Sequence, residues 1–328
     1  MPARFEARCF AKLNLTLAVG PPVPAGESPL AGMHRLLSWF HAIDLFDDLA
    51  VERVEPGDAD ADATNAERCT ITPAPEASFD AGAIDWAPAD DLAMKMAAHA
   101  EQLVGRPLPV RTTLRKRIPA RGGLGGGSSD AARMLEALNT LFGLNLDWSR
   151  AHELSRGVGS DIVFFLDPPE QGIADPLAPP RPALFRGFGE RIERLPRCRA
   201  DLVLVVPSIG CPTGAVYRAY DELGRRSAKK ADSDAIRDAA GRGIVADALC
   251  MNELTPAAFA VAPDLRRLHD ALEESLEGNT SRDRVHLTGS GSCLFALVEP
   301  EMVNATAEGF EQVAAEILPA AVLRTRLV

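Results

Sequence analysis

Apolar residues along this 328-residue chain recur with two periods, and the order of those periods predicts a mixed α and β fold. Residues 10–19 and 36–54 alternate or run apolar, with β-branched and aromatic side chains, and predict strands. In DDLAMKMAAHAEQLVG (90–105), Leu92, Met96, Ala100 and Leu103 have helical spacing, and Gly105 closes the helix. VRTTLRKRI (110–118) puts Val110, Thr112, Leu114 and Ile118 on one face of a strand. In SDAARMLEALNTLFG the apolar positions 131, 134, 135, 138, 141 and 142 share one helical face, with Gly143 past the end. Farther on, DLVLVVP (201–207) predicts a buried strand and TGAVYRAYDEL (213–223) a helix. VHLTGSGSCLFALVE (285–299) predicts a strand–turn–strand, and a helix over 300–318 precedes a final strand in AAVLRTRLV.

Two stretches break the pattern. Residues 55–90 are rich in Asp, Ala, Pro and Gly and predict a surface excursion, with a short strand at CTIT. The DADADA run within it begins like a calcium loop. Counted from Asp58, however, the sixth position is Ala63 instead of glycine and the twelfth is Cys69 instead of glutamate. A solvated acidic loop is expected there. Residues 167–183 contain six prolines and predict a linker or a lid. The chain shows no internal repeat, and two lobes are expected, over residues 1–180 and 181–328.

Composition narrows the partners. The net charge of −11 argues against non-specific binding to nucleic acid or anionic membranes. Cys9, Cys69, Cys198, Cys211, Cys250 and Cys293 are scattered without a C-x-x-C, as expected of reduced thiols in a cytoplasmic protein. Charges interrupt the apolar runs near the N-terminus, so neither a secretion signal nor a transmembrane span is expected.

The candidate chemistry lies at IPARGGLGGGSSDAA (118–132), between a predicted strand and a predicted helix. A helix N-terminus leaves N–H groups unpaired and carries about half a positive charge. Glycines let the backbone before it approach a polyanion closely. Ser128 and Ser129 add hydroxyls, with Ser128 expected to cap the helix. Together these features predict a phosphate cradle. Two familiar loops are excluded. Gly122 and Gly127 have Walker A spacing, but Ser128 stands where the lysine is needed. A dinucleotide G-x-G-x-x-G counted from Gly123 fails at the same serine. The plainer alternative is a glycine-rich turn at a helix start.

The motif P-x-x-x-G-L-G-G-G-S-S-D-A-A, Pro119 to Ala132, resembles the phosphate-binding motif of the GHMP kinases. Four further segments are similar to that family's and occur in its order: AKLNLTL (11–17), GMHRLLSWFHAIDLFDDLAVE (32–52), GSDIVFFL (159–166) and LTGSGSCLFAL (287–297). The G-L-G-G-G-S-S spelling is most similar to the branch that phosphorylates 4-diphosphocytidyl-2-C-methyl-D-erythritol in the non-mevalonate isoprenoid pathway. The resemblance implies an α+β, two-lobed fold: an N-terminal lobe like domain 2 of ribosomal protein S5 and a ferredoxin-like C-terminal lobe. It implies ATP and Mg²⁺ as cofactors and a small-molecule alcohol as acceptor, in a monomer or weak homodimer.

Residue roles follow from the resemblance. Asp161 is the expected base for the acceptor hydroxyl, and Lys12 the charge that keeps it ionised and stabilises the transferred phosphoryl group. Pro119, Gly122, Gly123, Leu124, Gly125, Gly126, Gly127, Ser128 and Ser129 would hold the nucleotide, with Ser129 on Mg²⁺ or the β-phosphate. Lys116 matches a residue lining the adenine pocket. Asn14, His34, Tyr217 and the turn Gly289, Ser290 and Gly291 would meet the acceptor. Departures fall mostly on the acceptor side. Met33 replaces the aromatic expected to stack on cytosine, leaving Tyr217 as the retained aromatic neighbour. Ala31 replaces an aspartate, Val163 a proline and Asp91 an asparagine, and insertions lie near 55–85 and 167–183. Two other readings stand beside this one: a GHMP kinase with a different alcohol acceptor, and a non-catalytic nucleotide-binding regulator. Retention of Lys12 and Asp161 argues against the regulator.

Overall fold

The apolar runs near the N-terminus form two long strands, β1 (Arg4–Pro22) and β2 (His34–Arg53). They are followed by β3 (Cys69–Pro73), α1 (Leu92–Val104), β4 (Val110–Lys116), α2 (Gly126–Phe142), α3 (Trp148–Arg156) and α4 (Ile162–Phe165). Next come β5 (Ala183–Gly187), β6 (Arg191–Arg194), β7 (Asp201–Pro207), α5 (Thr213–Leu223), α6 (Ser233–Gly241) and β8 (Met251–Asn252). The chain ends through α7 (Thr255–Val261), α8 (Pro263–Leu276), β9 (Val285–Leu287), β10 (Leu294–Val298), α9 (Val303–Ile317) and β11 (Ala320–Arg326). The structure is a computed structural model and describes residues 2–24, 26, 31–74, 84–167, 175–224, 231–276 and 284–328.

Two compact units emerge, and neither is a single stretch of sequence. The first holds Met1–Ala11, Leu45–Ala120 and Gly125–Pro180, and the second holds Lys12–Asp44, Arg121–Leu124 and Arg181–Val328. One boundary falls at 180/181. Residues 12–44 and 121–124 group with the later part of the chain.

In the first unit β4 runs antiparallel to β2, from Asp48↔Arg115 to Arg53↔Val110, and parallel to β3, from Cys69↔Thr112 to Pro73↔Lys116. Alternation along β4 buries Val110, Thr112, Leu114 and Lys116 and turns Thr113 and Arg115 to solvent. α1 packs on α2, and the small buried residues Ala93, Ala97, Ala100, Ala131 and Ala132 permit a close approach. Asp91 caps α1 by accepting from Ala93 N–H at 2.9 Å, and Gly105 ends it in the left-handed region at φ 68°. Leu103, the last position of the predicted apolar stripe, is instead exposed.

Asp58 and Asp62 of the acidic run are exposed, as expected of a solvated loop, but the backbone of the run is held by a buried arginine. Arg68, 7% exposed, donates to the carbonyls of Asp60 at 2.8 Å, Val110 at 3.1 Å and Ala63, and to Asn65 Oδ1 at 3.0 Å. Asp60 pairs with Arg111 at 2.6 Å. The run's carbonyls thus face an arginine. Residues 75–83 of this insertion, and 168–174 of the proline-rich one, lie outside the described residues. Residues 175–182 form turns and coil held down by Arg133, whose Nη2 donates to Ala178 O at 2.8 Å.

In the second unit an antiparallel sheet of order β11-β7-β10-β9 carries the core. Val203, Val205, Leu294 and Ala296 from the sheet pack with Leu265, Leu268 and Leu272 of α8 and Phe310 of α9. β5 pairs with residues 36–40 of β2, and β8 runs parallel to β1 at Thr16↔Met251.

Candidate active site

The glycine loop leaves β4 at Lys116 and enters α2 at Gly126. Along it Arg121, Gly123 and Gly125 take positive φ of 61°, 79° and 73°. Gly125 is the N-cap residue, and no side chain caps the helix. This corrects the role expected of Ser128, which lies inside the first turn with Ser129. Ser128 is half-buried, whereas Ser129 is 1% exposed. Gly125 therefore offers the first-turn N–H groups no side-chain acceptor, as a phosphate cradle requires.

In the second unit, the segment 121–124 of this loop is stitched to β1 and to the turn between β9 and β10. Lys12, buried to 2% exposure, donates from Nζ to Asn14 Oδ1 at 2.6 Å and to Gly123 O at 2.8 Å. Its own N–H meets Leu124 O at 2.9 Å, and Cys293 N–H meets Gly122 O at 3.2 Å. Asn14 Nδ2 donates to Ser38 Oγ at 2.8 Å, and Asn14 N–H to Thr288 Oγ1 at 3.0 Å. Gly123 is required here, because a Cβ on it would lie 2.5 Å from Thr288 O. Gly289 also approaches closely, with a notional Cβ 3.0 Å from Gly123 O. Asn252 Nδ2 supports the turn by donating to Gly289 O at 2.7 Å, and Thr213 Oγ1 lies 3.0 Å from Ser290 Oγ. Lys12, Asn14, Gly122, Gly123, Leu124, Gly289, Ser290 and Gly291 thus come together from three distant stretches of sequence. Sequence reasoning missed Ser38, Thr213, Asn252 and Thr288. Only Thr288 carried a local signal, standing directly before G-S-G.

His34 and Tyr217 also meet in this unit, with ring centroids 5.2 Å apart. His34 Nδ1–H donates to Gly20 O at 2.8 Å, while Nε2 lies 3.4 Å from Asp221 Oδ1. Tyr220 closes the other side of the imidazole at 5.8 Å and anchors its hydroxyl on Val19 O at 2.8 Å. Met33, beside His34, is 43% exposed.

Asp161, Lys116, Ser128 and Ser129 lie in the first unit. Asp161 sits at the N-cap position of α4 without capping it, and accepts from Ser160 Oγ at 3.3 Å. The buried run Ile162–Phe165 anchors the helix behind it. Lys116 is buried between two carboxylates. Its Nζ lies 2.5 Å from both Asp47 Oδ2 and Asp130 Oδ2, with side-chain exposures of 6%, 0% and 0%. Burial pushes the Asp130 carboxyl up to about 7 against the pull of Lys116, and burial raises Asp47 as well.

Comparison with known proteins fits this arrangement. Residues 91–167, which span α1 to the end of α4, match the GHMP kinases N terminal domain. A 4-diphosphocytidyl-2-C-methyl-D-erythritol kinase of Polaromonas sp. strain JS666 is 32% identical over 302 residues, covering 91% of this chain and 84% of that protein. Its counterpart from Polaromonas naphthalenivorans is 31% identical over 314 residues, covering 94% and 91%. The crystal structure of a 4-(cytidine 5'-diphospho)-2C-methyl-D-erythritol kinase superposes with a TM-score of 0.67 at 28% identity, covering 99% of this chain and 100% of that one. A homoserine kinase from Cytophaga hutchinsonii, at 14% identity and a TM-score of 0.64, shares the fold. With identity above 30% sustained over nine-tenths of its length, the chain belongs to the 4-diphosphocytidyl-2-C-methyl-D-erythritol kinase family of the GHMP kinases.

Proposed function

We propose that this protein transfers the γ-phosphoryl group of ATP to the 2-hydroxyl of 4-diphosphocytidyl-2-C-methyl-D-erythritol, in the non-mevalonate isoprenoid pathway. The observation that carries this reading is the buried ammonium of Lys12, held by Asn14 and by the backbone of the glycine loop itself. Burying a charge in an apolar strand is costly, and a strand lysine with no task would turn to solvent.

The uncapped first turn of α2 fits a polyphosphate, with the loop from Pro119 through Gly122, Gly123, Leu124, Gly125, Gly126 and Gly127 around it. Bound there, ATP with Mg²⁺ would supply the activated phosphoryl group and neutralise its charge. Ser128 is the more accessible hydroxyl for the metal or the β-phosphate, and Ser129 faces inward. No group of three or more His, Cys, Asp or Glu among the described residues could hold a metal by itself, so Mg²⁺ would be held largely by the phosphates. Asp161 accepts the proton of the acceptor hydroxyl, and Lys12 stabilises charge on the transferring group. Asn14 and the turn 289–291 orient the acceptor, and His34 with Tyr217 receives its cytosine. The reading includes a cytoplasmic monomer or weak homodimer with no nucleic-acid or membrane partner. The charge of −11 supports this, and no helix among the described residues is long and apolar enough to cross a membrane.

An ADP-release assay against a panel of alcohols tests the reading. The cytidyl compound is expected to give the highest kcat/KM. Asp161→Asn should lower kcat by about 10²–10⁴ with ATP binding nearly unchanged. A variant keeping more than about half of wild-type kcat would remove Asp161 from the role of base. The exposure of Met33 favours one competing reading, a GHMP kinase for an alcohol without a base, and the same panel decides between them.

A further inference from the structure

The geometry of the buried cluster of Asp47, Lys116 and Asp130 concerns the glycine loop. Lys116 is the last residue of β4, and Asp130 lies near the start of α2. One ammonium therefore bridges the two stems of the loop. The stem on the strand side is held a second time: Asp47 Oδ1, from β2, accepts from Ile118 N–H at 2.8 Å and from Arg117 N–H. Between these stems the chain takes positive φ at Arg121, Gly123 and Gly125, so its middle has little intrinsic preference for one shape.

The surroundings make a purely structural role a poor explanation. Leu114, two residues before Lys116, and Ala131 and Met134, one and four residues after Asp130, are essentially without solvent exposure. Well-packed apolar side chains there would hold the elements together as well as a buried ion cluster does, or better. The cluster is also imperfectly satisfied, because Asp130 Oδ1 is buried without a partner. Apolar packing, however, leaves stems free to slide by fractions of an ångström. Charge-assisted hydrogen bonds fix direction as well as distance.

We propose that Lys116 and Asp130, together with Asp47, are positioning residues that hold the glycine loop in register for the nucleotide phosphates, and that Lys116 makes no contact with the base. This rests on the kinase reading above. It departs from the expectation that Lys116 lines the adenine pocket, because both carboxylates already engage its ammonium inside the protein. Preorganisation of this kind acts on phosphate affinity and not on the choice of purine.

The test uses the full chain and two variants, Asp130→Asn and the double variant Lys116→Met/Asp130→Asn. The second removes the ammonium together with one carboxylate, in case the first is too conservative. Calorimetry gives Kd for ATP, for GTP and for inorganic tripolyphosphate, a probe without a base, and thermal melting follows the fold. In at least one folded variant, Kd for ATP and for tripolyphosphate should weaken together by about tenfold or more, as expected for a lost charge-assisted contact. The ATP-to-GTP ratio should not change. Weakened ATP binding with unchanged tripolyphosphate binding, or a shifted purine ratio, would overturn the proposal in favour of a base contact. A lower melting temperature with unchanged Kd for both ligands would overturn it in favour of a structural role. Because these readouts are equilibrium binding, a wild-type protein that binds both ligands but turns over no acceptor would sink the kinase reading alone. A wild type that binds neither would sink both.

Discussion

Lys12 lies in the middle of an apolar strand, and oxygens of Asn14 and of the glycine loop help to hold its charge inside. Removing it should disturb the reacting centre more than the nucleotide. Lys12→Ala is expected to lower kcat more than it raises KM for ATP, and Lys12→Arg should not restore kcat, since a planar fork does not replace a compact ammonium. Steady-state kinetics on both variants check this; a variant altered only in ATP affinity would move Lys12 to the nucleotide site. Gly123 is constrained from the other direction. A methyl group there would meet Thr288 O at 2.5 Å at a φ of 79° that side chains rarely adopt. Gly123→Ala should therefore cost about 1–3 kcal/mol of stability and lower kcat, because the contact it breaks is the one that seats Lys12. Urea denaturation beside a kinetic run would show both losses. At this scale the identity of Lys12 as a candidate was legible in the sequence, as a lone charge in FAKLNLTL. Its partner Gly123, 111 positions away, was not, because nothing local encodes that approach.

Among the elements, α5 shows how one helix face can do two jobs. Tyr220 is buried and anchors α5 to β1 through Val19 O, while Tyr217, one turn earlier, is half-buried beside His34. If cytosine stacks there, Tyr217 must supply what the exposed Met33 does not. Tyr217→Ala should raise KM for the cytidyl acceptor with little change for ATP. Met33→Tyr should lower acceptor KM by up to about tenfold, if about 1–1.4 kcal/mol of stacking is recovered. Flat values across wild type and both variants would favour an acceptor without a base. The elements absent from the sequence reading had weak or unused signals. α8 carries Leu265, Leu268, Leu272 and Leu276 at helical spacing and was readable from periodicity. α3 announces itself only through the cap at Asp147, which accepts from Arg150 N–H at 2.8 Å, because its face is too polar to show a stripe. β5 and β8 are short and exist through their pairing with β2 and β1, which no local pattern reveals.

For the molecule as a whole, His41 couples folding to pH. It is fully buried, its Nδ1–H donates to Ala42 O at 2.9 Å, and its Nε2 accepts from Cys198 N–H at 3.1 Å. Both ring nitrogens are thus committed to the neutral form. Burial pushes its pKa down to about 4, with the Ala42 hydrogen bond opposing the shift. Unfolded histidine titrates near about 6.5. Between those values the unfolded chain binds a proton that the folded chain refuses, so the native state loses stability as pH falls. The loss at this one site should reach about 3 kcal/mol. Burial also raises the carboxyls of Asp47, Asp130 and Glu136, so the quantity to measure is the difference between wild type and His41→Gln. That difference, from denaturation curves at pH 7, 5.5 and 4.5, should shift in favour of the variant on acidification. A difference independent of pH would show that His41 is not the group.

The sequence by itself determined the α+β order and the family. Those signals are local: period, cap residues, glycines and short motifs in a fixed order, each readable within about twenty residues. Only the tertiary structure decided that residues 12–44 and 121–124 group with the C-terminal part of the chain. It also decided that Gly125 and not Ser128 is the N-cap residue of α2, and that Arg68 organises the acidic excursion. The same holds for Lys116, whose ammonium is enclosed by Asp47 and Asp130 from two other elements. In each case the deciding contact joins residues far apart in sequence or depends on which face of an element is buried, and burial is a property of the packed chain.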